Sequence, residues 1–345
     1  MFVRQRFDEE SKKAAIEMIN EIKLAFKENF DSVTWMKEED KVKAIEKVDN
    51  MGASIGYPQY IFDVVEEDKV YERVSLDEKT FFENGLRLTE ATMREVYRQL
   101  IVKDRYQWDL SPHVVNAFYK ETVNHIYFPA GILQSPVYNR DHPNALNFGG
   151  IGMVMGHEIT HAFDYYGSKR DANGNLRQWW SEQTREAFEK NSQCMIDQYS
   201  NYTILDTKLN GKLTLGENIA DNGGMKAAFK LIHSERNFNY SDTRFGQPAS
   251  LLDDPCPFYA LDKKQYIRKI RIPEGLSKMD FCVDCVVIWC VTELPQAVLN
   301  AVLFDVHTVD PYRVIGTLSN SEEFARVFNC PVGSPMNPGK KCAVW

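Results

Sequence analysis

The residues with the most chemical content lie between Gly152 and Asp164, in the run GMVMGHEITHAFD. His157 and His161 are four positions apart, so on an α-helix they stand one above the other on a single face. Two imidazoles placed this way aim at one point roughly 2.0 Å from each, the length of a zinc–nitrogen bond. Glu158 falls about 100° further round the helix. That puts it beside such a metal and not on it, where a base for a metal-activated water belongs. The arrangement is that of zinc-assisted hydrolysis of a peptide bond. The pentapeptide by itself also arises by chance in helix-rich chains, with the histidines merely packed or solvated. Here its neighbours Ile151, Met153, Val154, Ile159 and Ala162 are apolar, so the helix is expected to be buried. A buried histidine pair beside a buried glutamate needs partners, and one zinc ion per chain would supply them.

A catalytic zinc takes three protein ligands and keeps one position open. The segment Gly216–Gly224, GENIADNGG, carries Glu217 and Asp221 four positions apart, so both carboxylates share a helical face. Read alone, this is a helix start with acidic residues near its positive end. Read with the histidine helix, Glu217 becomes the third ligand and Asp221 the acceptor for the outer N–H of His157. A ligating histidine usually donates that N–H to a carboxylate, which fixes its tautomer. Asp164, three residues beyond His161, is placed to do the same for His161.

The elements that must position these groups are mostly helical. Residues 11 to 50 read as helix with a break at Asp31–Trp35, ended by Gly52, Gly56 and Pro58. A further helix is expected over 77–103. Residues 113–138 change period and read as two short strands turning through Glu121–Asn124, an edge fit to receive an extended peptide. Gly149-Gly150 leads into the histidine helix. Asp171–Asn175 reads as a turn and not a calcium loop, because the twelve-residue ligand pattern is missing. Trp179, Trp180, Phe188 and Met195 are expected on one helix, as core. The stretch from His233 to Lys278 shows no period and carries Pro248, Pro255, Pro257 and Pro273.

At this point the chain resembles the neprilysin family of zinc metallopeptidases, which includes the endothelin-converting enzymes. The resemblance is carried by Val115–Tyr119, Phe128–Gln134, GMVMGHEITHAFD, TLGENIADNGG, Asp305-Val306-His307 with Arg313, and the terminal Cys342–Trp345. It implies a mainly α fold: a thermolysin-like zincin catalytic lobe with a small β hairpin, over residues 81–345, and a partial helical cap lobe over 1–80. It implies zinc on His157, His161 and Glu217, Glu158 as general base and Asp221 as the orienting carboxylate. It implies that Asn116 and Ala117 pair with substrate backbone, that His307 stabilises the transition state and that Arg313 anchors a substrate carbonyl. Ile132, Met153, Val154 and Trp289 fall where the family lines an apolar pocket for the residue after the cut bond. The implied activity is endopeptidase cleavage of oligopeptides on the amino side of hydrophobic residues. The alternative is a relative that keeps the scaffold for binding without turnover. Full-length relatives carry a long N-terminal part with a membrane anchor or signal, so a fragment or a short form is expected, anchored only if such a segment lies upstream.

With 345 residues and 43% hydrophobic content, the chain can bury a substantial core. A net charge of −8 argues against non-specific nucleic-acid binding. No apolar run reaches the length of a membrane span, and the charged Met1–Glu10 lacks a signal-peptide core. There are seven cysteines, an odd count. In the resembling family the counterparts of Cys194 and Cys342 pair, and those of Cys290 and Cys330 pair with cysteines far upstream. Cys282–Cys285 is a single C-x-x-C with no βαβ pattern around it, which weighs against a redox or second metal site. The sequons at Asn201 and Asn239 are glycosylation candidates. Together these point to an extracellular or cell-surface ectodomain acting on peptides, with oligomeric state left open.

Overall fold

The computed structural model describes residues 1–63, 65, 71–72, 74–101, 107–108, 110–233, 288–289 and 291–345. Helix α1 (Glu9–Ser32) starts at Asp8, whose side chain accepts from the Ser11 N–H, a cap for an orphan donor of the first turn. It buries Ala15, Ile19, Ile22, Phe26 and Phe30, a stripe at three- and four-residue spacing that must face a core. The expected break follows, and α2 covers Glu38–Asp49. Helix α3 (Phe81–Ile101) leaves Phe81, Phe82, Leu100 and Ile101 exposed.

Strands β1 (Gly52–Gly56), β2 (Phe118–Lys120) and β3 (His125–Pro129) form one sheet in the order β1–β3–β2. β2 and β3 are the expected hairpin, paired Phe118 to Tyr127 and Lys120 to His125. Its turn ends on Asn124 at φ 51°, the left-handed region that asparagine tolerates. β1 lies parallel to β3, Gly52 opposite His125. The sequence reading took its glycines as the end of a helical unit. The helix does end before them, at Asp49, and Gly52 and Gly56 also bound a strand whose partner is far along the chain, beyond the reach of any local pattern.

The histidine helix α4 (Met153–Thr160) continues a helical turn at Asn144–Asn147 through a π-turn at Phe148–Gly152. Helix α5 (Glu182–Ser200) begins at Ser181, whose side chain accepts from the Thr184 N–H. Trp179 and Trp180, expected on this helix, instead precede its cap and stack on each other at 5.0 Å. Helices α6 (Leu215–His233), α7 (Pro295–Phe304), α8 (Asp310–Asn320) and α9 (Glu322–Val327) follow.

One hydrophobic cluster joins α1, the sheet, α4, α6 and the segment ending at Trp345. Phe30, Trp35, Phe163 and Phe188 all contact the Trp345 ring, with centroids 5.1–5.9 Å apart. The Trp35 indole donates to Val344 O at 3.0 Å and that of Trp345 to Phe163 O at 3.2 Å. No described helix is long and apolar enough to cross a membrane. Residues 234–278, with Asn239 and Cys256, lie outside the described residues, as do Cys282, Cys285 and Cys290.

Candidate metal centre

Helices α4 and α6 touch backbone to backbone. A Cβ on Gly156 would lie 2.7 Å from Gly224 O, and one on Gly224 would lie 2.4 Å from the His157 nitrogen. Only glycine at both positions allows this approach. On α6, Glu217, Asp221 and Gly224 are spaced i, i+4 and i+7, so the residue that permits contact shares a face with the two carboxylates.

The His157 Nδ1–H donates to Asp221 Oδ1 at 2.8 Å. Asp221 also accepts from Arg313 Nε at 2.7 Å and Nη2 at 2.6 Å. An ionised carboxylate cannot donate, so the imidazole must, and its Nε2 keeps a free lone pair in the neutral ring. The same logic applies to His161, whose Nδ1 faces Asp164 Oδ2 at 2.7 Å. Asp164 Oδ1 is committed to the N–H groups of Tyr166 and Gly167, each at 2.7 Å. Both histidines therefore turn Nε2 inward, 2.9 Å apart. Glu217 Oε2 lies 3.3 Å from one and 3.6 Å from the other.

With both rings neutral, three acceptor atoms thus converge with no donor among them, and buried Glu217 Oε2 has no hydrogen-bond partner. Donors 2.0–2.2 Å from a tetrahedral zinc sit about 3.3–3.6 Å from one another. The two edges to Glu217 match, and the His–His edge is shorter by about half an ångström. The charges point the same way. Glu158, Asp164, Glu217 and Asp221 gather here, with Arg313 beside Asp221 and Glu217 and Lys47 behind Asp164, and the remaining buried excess of negative charge needs a cation. Burial works against charge on either imidazole, yet the facing carboxylates outweigh it and raise both, His161 well above its ordinary value. Burial would lift the Glu217 carboxyl, but His161 and His157 hold it far below the usual range. The same donor set fits a dication.

Glu158 is 4% exposed and its Oε2 is buried without a partner. Burial raises its carboxyl above the ordinary value, against the pull of His157 and His161. His307 Nδ1 meets Asp305 Oδ1 at 2.7 Å, which turns Nε2 to within 3.4 Å of Glu217 Oε2. His157, Glu158, His161, Glu217 and His307 open on one cleft of about 690 Å³. Asn116 and Ala117, ahead of edge strand β2, line it, as do Ile132, Met153, Val154, Trp289 and Arg313. The Arg313 guanidinium stacks 3.7 Å from the centre of the Trp289 ring.

A model described as Peptidase family M13 matches residues 116–247 and 258–344, and a second model of the same description matches residues 1–58. The chain belongs to peptidase family M13. This M13 chain is 43% identical to endothelin-converting enzyme 1 of Homo sapiens over 346 residues, all of this chain and 42% of that protein. It is 41% identical to neprilysin-3 of Drosophila melanogaster, again over its full length and 41% of the relative. Among solved structures it resembles the Mycobacterium tuberculosis zinc metalloprotease Zmp1 in complex with an inhibitor (TM-score 0.81, 25% identity, all of this chain and 48% of that one). It also resembles PepO of Lactobacillus rhamnosis (TM-score 0.80, 27% identity, all of this chain and 48% of that one). The chain spans less than half the length of these relatives.

Cys194 and Cys342 form a disulfide that ties α5 to the C-terminal segment, and Asn201 is exposed at the end of α5. Three contributions in this M13 chain are not apparent from its sequence. Val137 and Ile288 add to the apolar cleft wall. Thr308, next to His307, donates to Asn218 Oδ1 at 2.7 Å and so ties the His307 loop to the helix of Glu217. Asn218 lies between Glu217 and Asp221 in sequence, but nothing in its spacing names Thr308 as partner. Lys47, buried behind His161, carries no sequence signal at all.

Proposed function

We propose that this chain carries the catalytic site of a zinc metalloendopeptidase. The observation that carries the reading is the convergence of His157 Nε2, His161 Nε2 and Glu217 Oε2, each imidazole fixed by its own carboxylate. Zinc held there would polarise a scissile carbonyl and acidify a water. The chain's own residues supply the rest. Glu158, with its raised carboxyl, takes the proton from the attacking water and passes it to the leaving amine. His307, its Nδ1–H taken by Asp305, stands on the cleft side of Glu217 and, as the imidazolium, donates from Nε2 to the oxygen on which negative charge develops. Arg313 has five N–H donors; two serve Asp221, and the remainder serve a substrate carbonyl. The edge ahead of β2, at Asn116 and Ala117, pairs with substrate backbone by strand addition. Ile132, Met153, Val154 and Trp289 form an apolar wall suited to a hydrophobic side chain after the cut bond.

Residues 1–80 are read as this chain's share of a helical cap and 81–345 as the catalytic part. The Cys194–Cys342 disulfide and the exposed Asn201 sequon support an extracellular or cell-surface setting. The test is metal content together with cleavage of fluorogenic peptides bearing a hydrophobic residue after the scissile bond. One zinc per chain, with cleavage abolished by a chelator and restored by zinc, is expected. A folded chain that takes up no zinc would overturn the reading.

A further inference from the structure

Lys47 of α2 is fully buried, which is rare for a lysine and requires compensation. Its Nζ donates to Ala162 O at 2.7 Å, Gly167 O at 2.7 Å and Arg170 O at 2.6 Å. Three carbonyls at these distances use all three N–H donors of an ammonium. The rings of Phe163 and Trp179 flank it, their centres 5.4 and 5.6 Å away. Burial pulls its pKa down to about 7, opposed by Asp164, Asp171 and Glu121 and aided by Arg170.

The three carbonyls bracket a single turn, and Asp164 sits inside it. Asp164 Oδ1 closes the turn on the N–H groups of Tyr166 and Gly167, while Oδ2 receives the Nδ1–H of His161. The turn has no slack, since a Cβ on Gly167 would fall 1.8 Å from His161 O. Where Lys47 holds the carbonyls therefore decides where Asp164 stands, and Asp164 decides how His161 is rotated.

We propose that Lys47 is a positioning residue for the metal centre: it pins the turn 162–170 from the N-terminal segment so that Asp164 aims His161 Nε2 at the point shared with His157 and Glu217. This rests on the zinc reading above. A lysine that merely stabilises the core would lower stability without acting through Asp164, and the two roles separate experimentally.

The experiment measures zinc affinity by competition with a chromophoric chelator, alongside the melting temperature of the metal-free protein. It uses wild type, Lys47→Met, Asp164→Asn, the double variant, and, as a stability control, Phe324→Leu at a buried residue of α9. Losing an outer partner of a metal histidine typically weakens metal binding about 10–100-fold, and Lys47→Met should fall in that range. Because both residues act on the same imidazole, the double variant should bind no more weakly than the worse single one. Phe324→Leu should lower the melting temperature and leave zinc affinity at the wild-type value. The proposal is overturned if Lys47→Met binds zinc like wild type, if the two losses add, or if Phe324→Leu weakens zinc equally. If Lys47→Met does not fold, Lys47→Gln, which keeps donors, goes through the same comparisons. Wild type that binds no zinc overturns the site reading and this proposal together; wild type that binds it beside an unaffected Lys47 variant overturns this one alone.

Discussion

Glu158→Gln separates proton transfer from metal holding. Gln has the same shape, and Glu158 Oε2 makes no hydrogen bond that the change would break. None of the three converging acceptor atoms belongs to Glu158, so stoichiometric zinc should remain. The rate should fall by about 10²–10⁴ in kcat, the size of a general-base contribution. At 1.36 kcal/mol per decade that is a barrier higher by about 2.7–5.4 kcal/mol. KM should move little, because a cleft of about 690 Å³ lined by many other residues still holds the peptide. Stability adds a second, independent readout. A carboxyl whose folded pKa is raised binds its proton more tightly folded than unfolded, so its contribution to stability falls as pH rises through the folded pKa. Gln has nothing to ionise, so the metal-free variant should be at least as stable as metal-free wild type above that pH. The assay is a fluorogenic-peptide progress curve, with elemental zinc on the same sample and a melting curve after chelation. A variant that keeps zinc and retains more than a tenth of the wild-type kcat would refute the base assignment. A variant that loses zinc would show that Glu158 belongs to the metal instead.

Asp221→Ala should be costly twice over. It leaves Arg313 buried without its carboxylate, worth about 3–5 kcal/mol of stability by thermal or denaturant unfolding, and it frees His157, which should weaken zinc by about 10–100-fold in chelator competition. In the metal-free protein both imidazoles have raised pKa values, so their stabilising contribution is complete below the unfolded histidine pKa and is lost as pH rises through the folded values. Melting temperature measured against pH should therefore decline over that window without zinc, while zinc affinity climbs, because metal and protons compete for the same Nε2 atoms. Reducing Cys194–Cys342, which closes a separation of 148 residues, should cost about 2–5 kcal/mol by denaturant titration. An unchanged midpoint would show that the bridge does not hold the C-terminal segment in place.

Much of the centre was legible because its pieces are local repeats of four. His157 with His161, and Glu217 with Asp221, each announce a helical face, and Asp164 is three residues from the ring it serves. The hairpin at Phe118–Pro129 was legible for the same reason, its period and turn lying within a dozen residues. What stayed hidden was pairing across distance. Arg313 reaches Asp221 from 92 positions away, Thr308 reaches Asn218 from 90, and Lys47 reaches carbonyls that no side-chain pattern encodes. β1 was missed because its glycines and serine read as punctuation, and its strand character comes only from β3. Trp179 and Trp180 were placed on a helix because aromatic spacing resembles a core stripe, whereas Ser181 caps the helix just after them.

The parallel pairing of β1 with β3 also sets a timetable for biosynthesis. Every pair in its register is offset by 73 positions (125 minus 52), and parallel neighbours cannot be closed by a local turn. At translation speeds of about 5–20 residues per second, β1 leaves the ribosome about 4–15 s before its partner. Trp35 waits longer, its acceptor Val344 lying 309 positions on, about 15–60 s at the same speeds. Until α4 and α6 emerge, the α1 stripe of Ile19, Ile22, Phe26 and Phe30 lacks the two later helices that pack on α1. The nascent chain therefore depends on whatever shields that stripe, and the yield of folded protein should respond to chaperone supply and to the pace of elongation more steeply than its final stability alone would suggest.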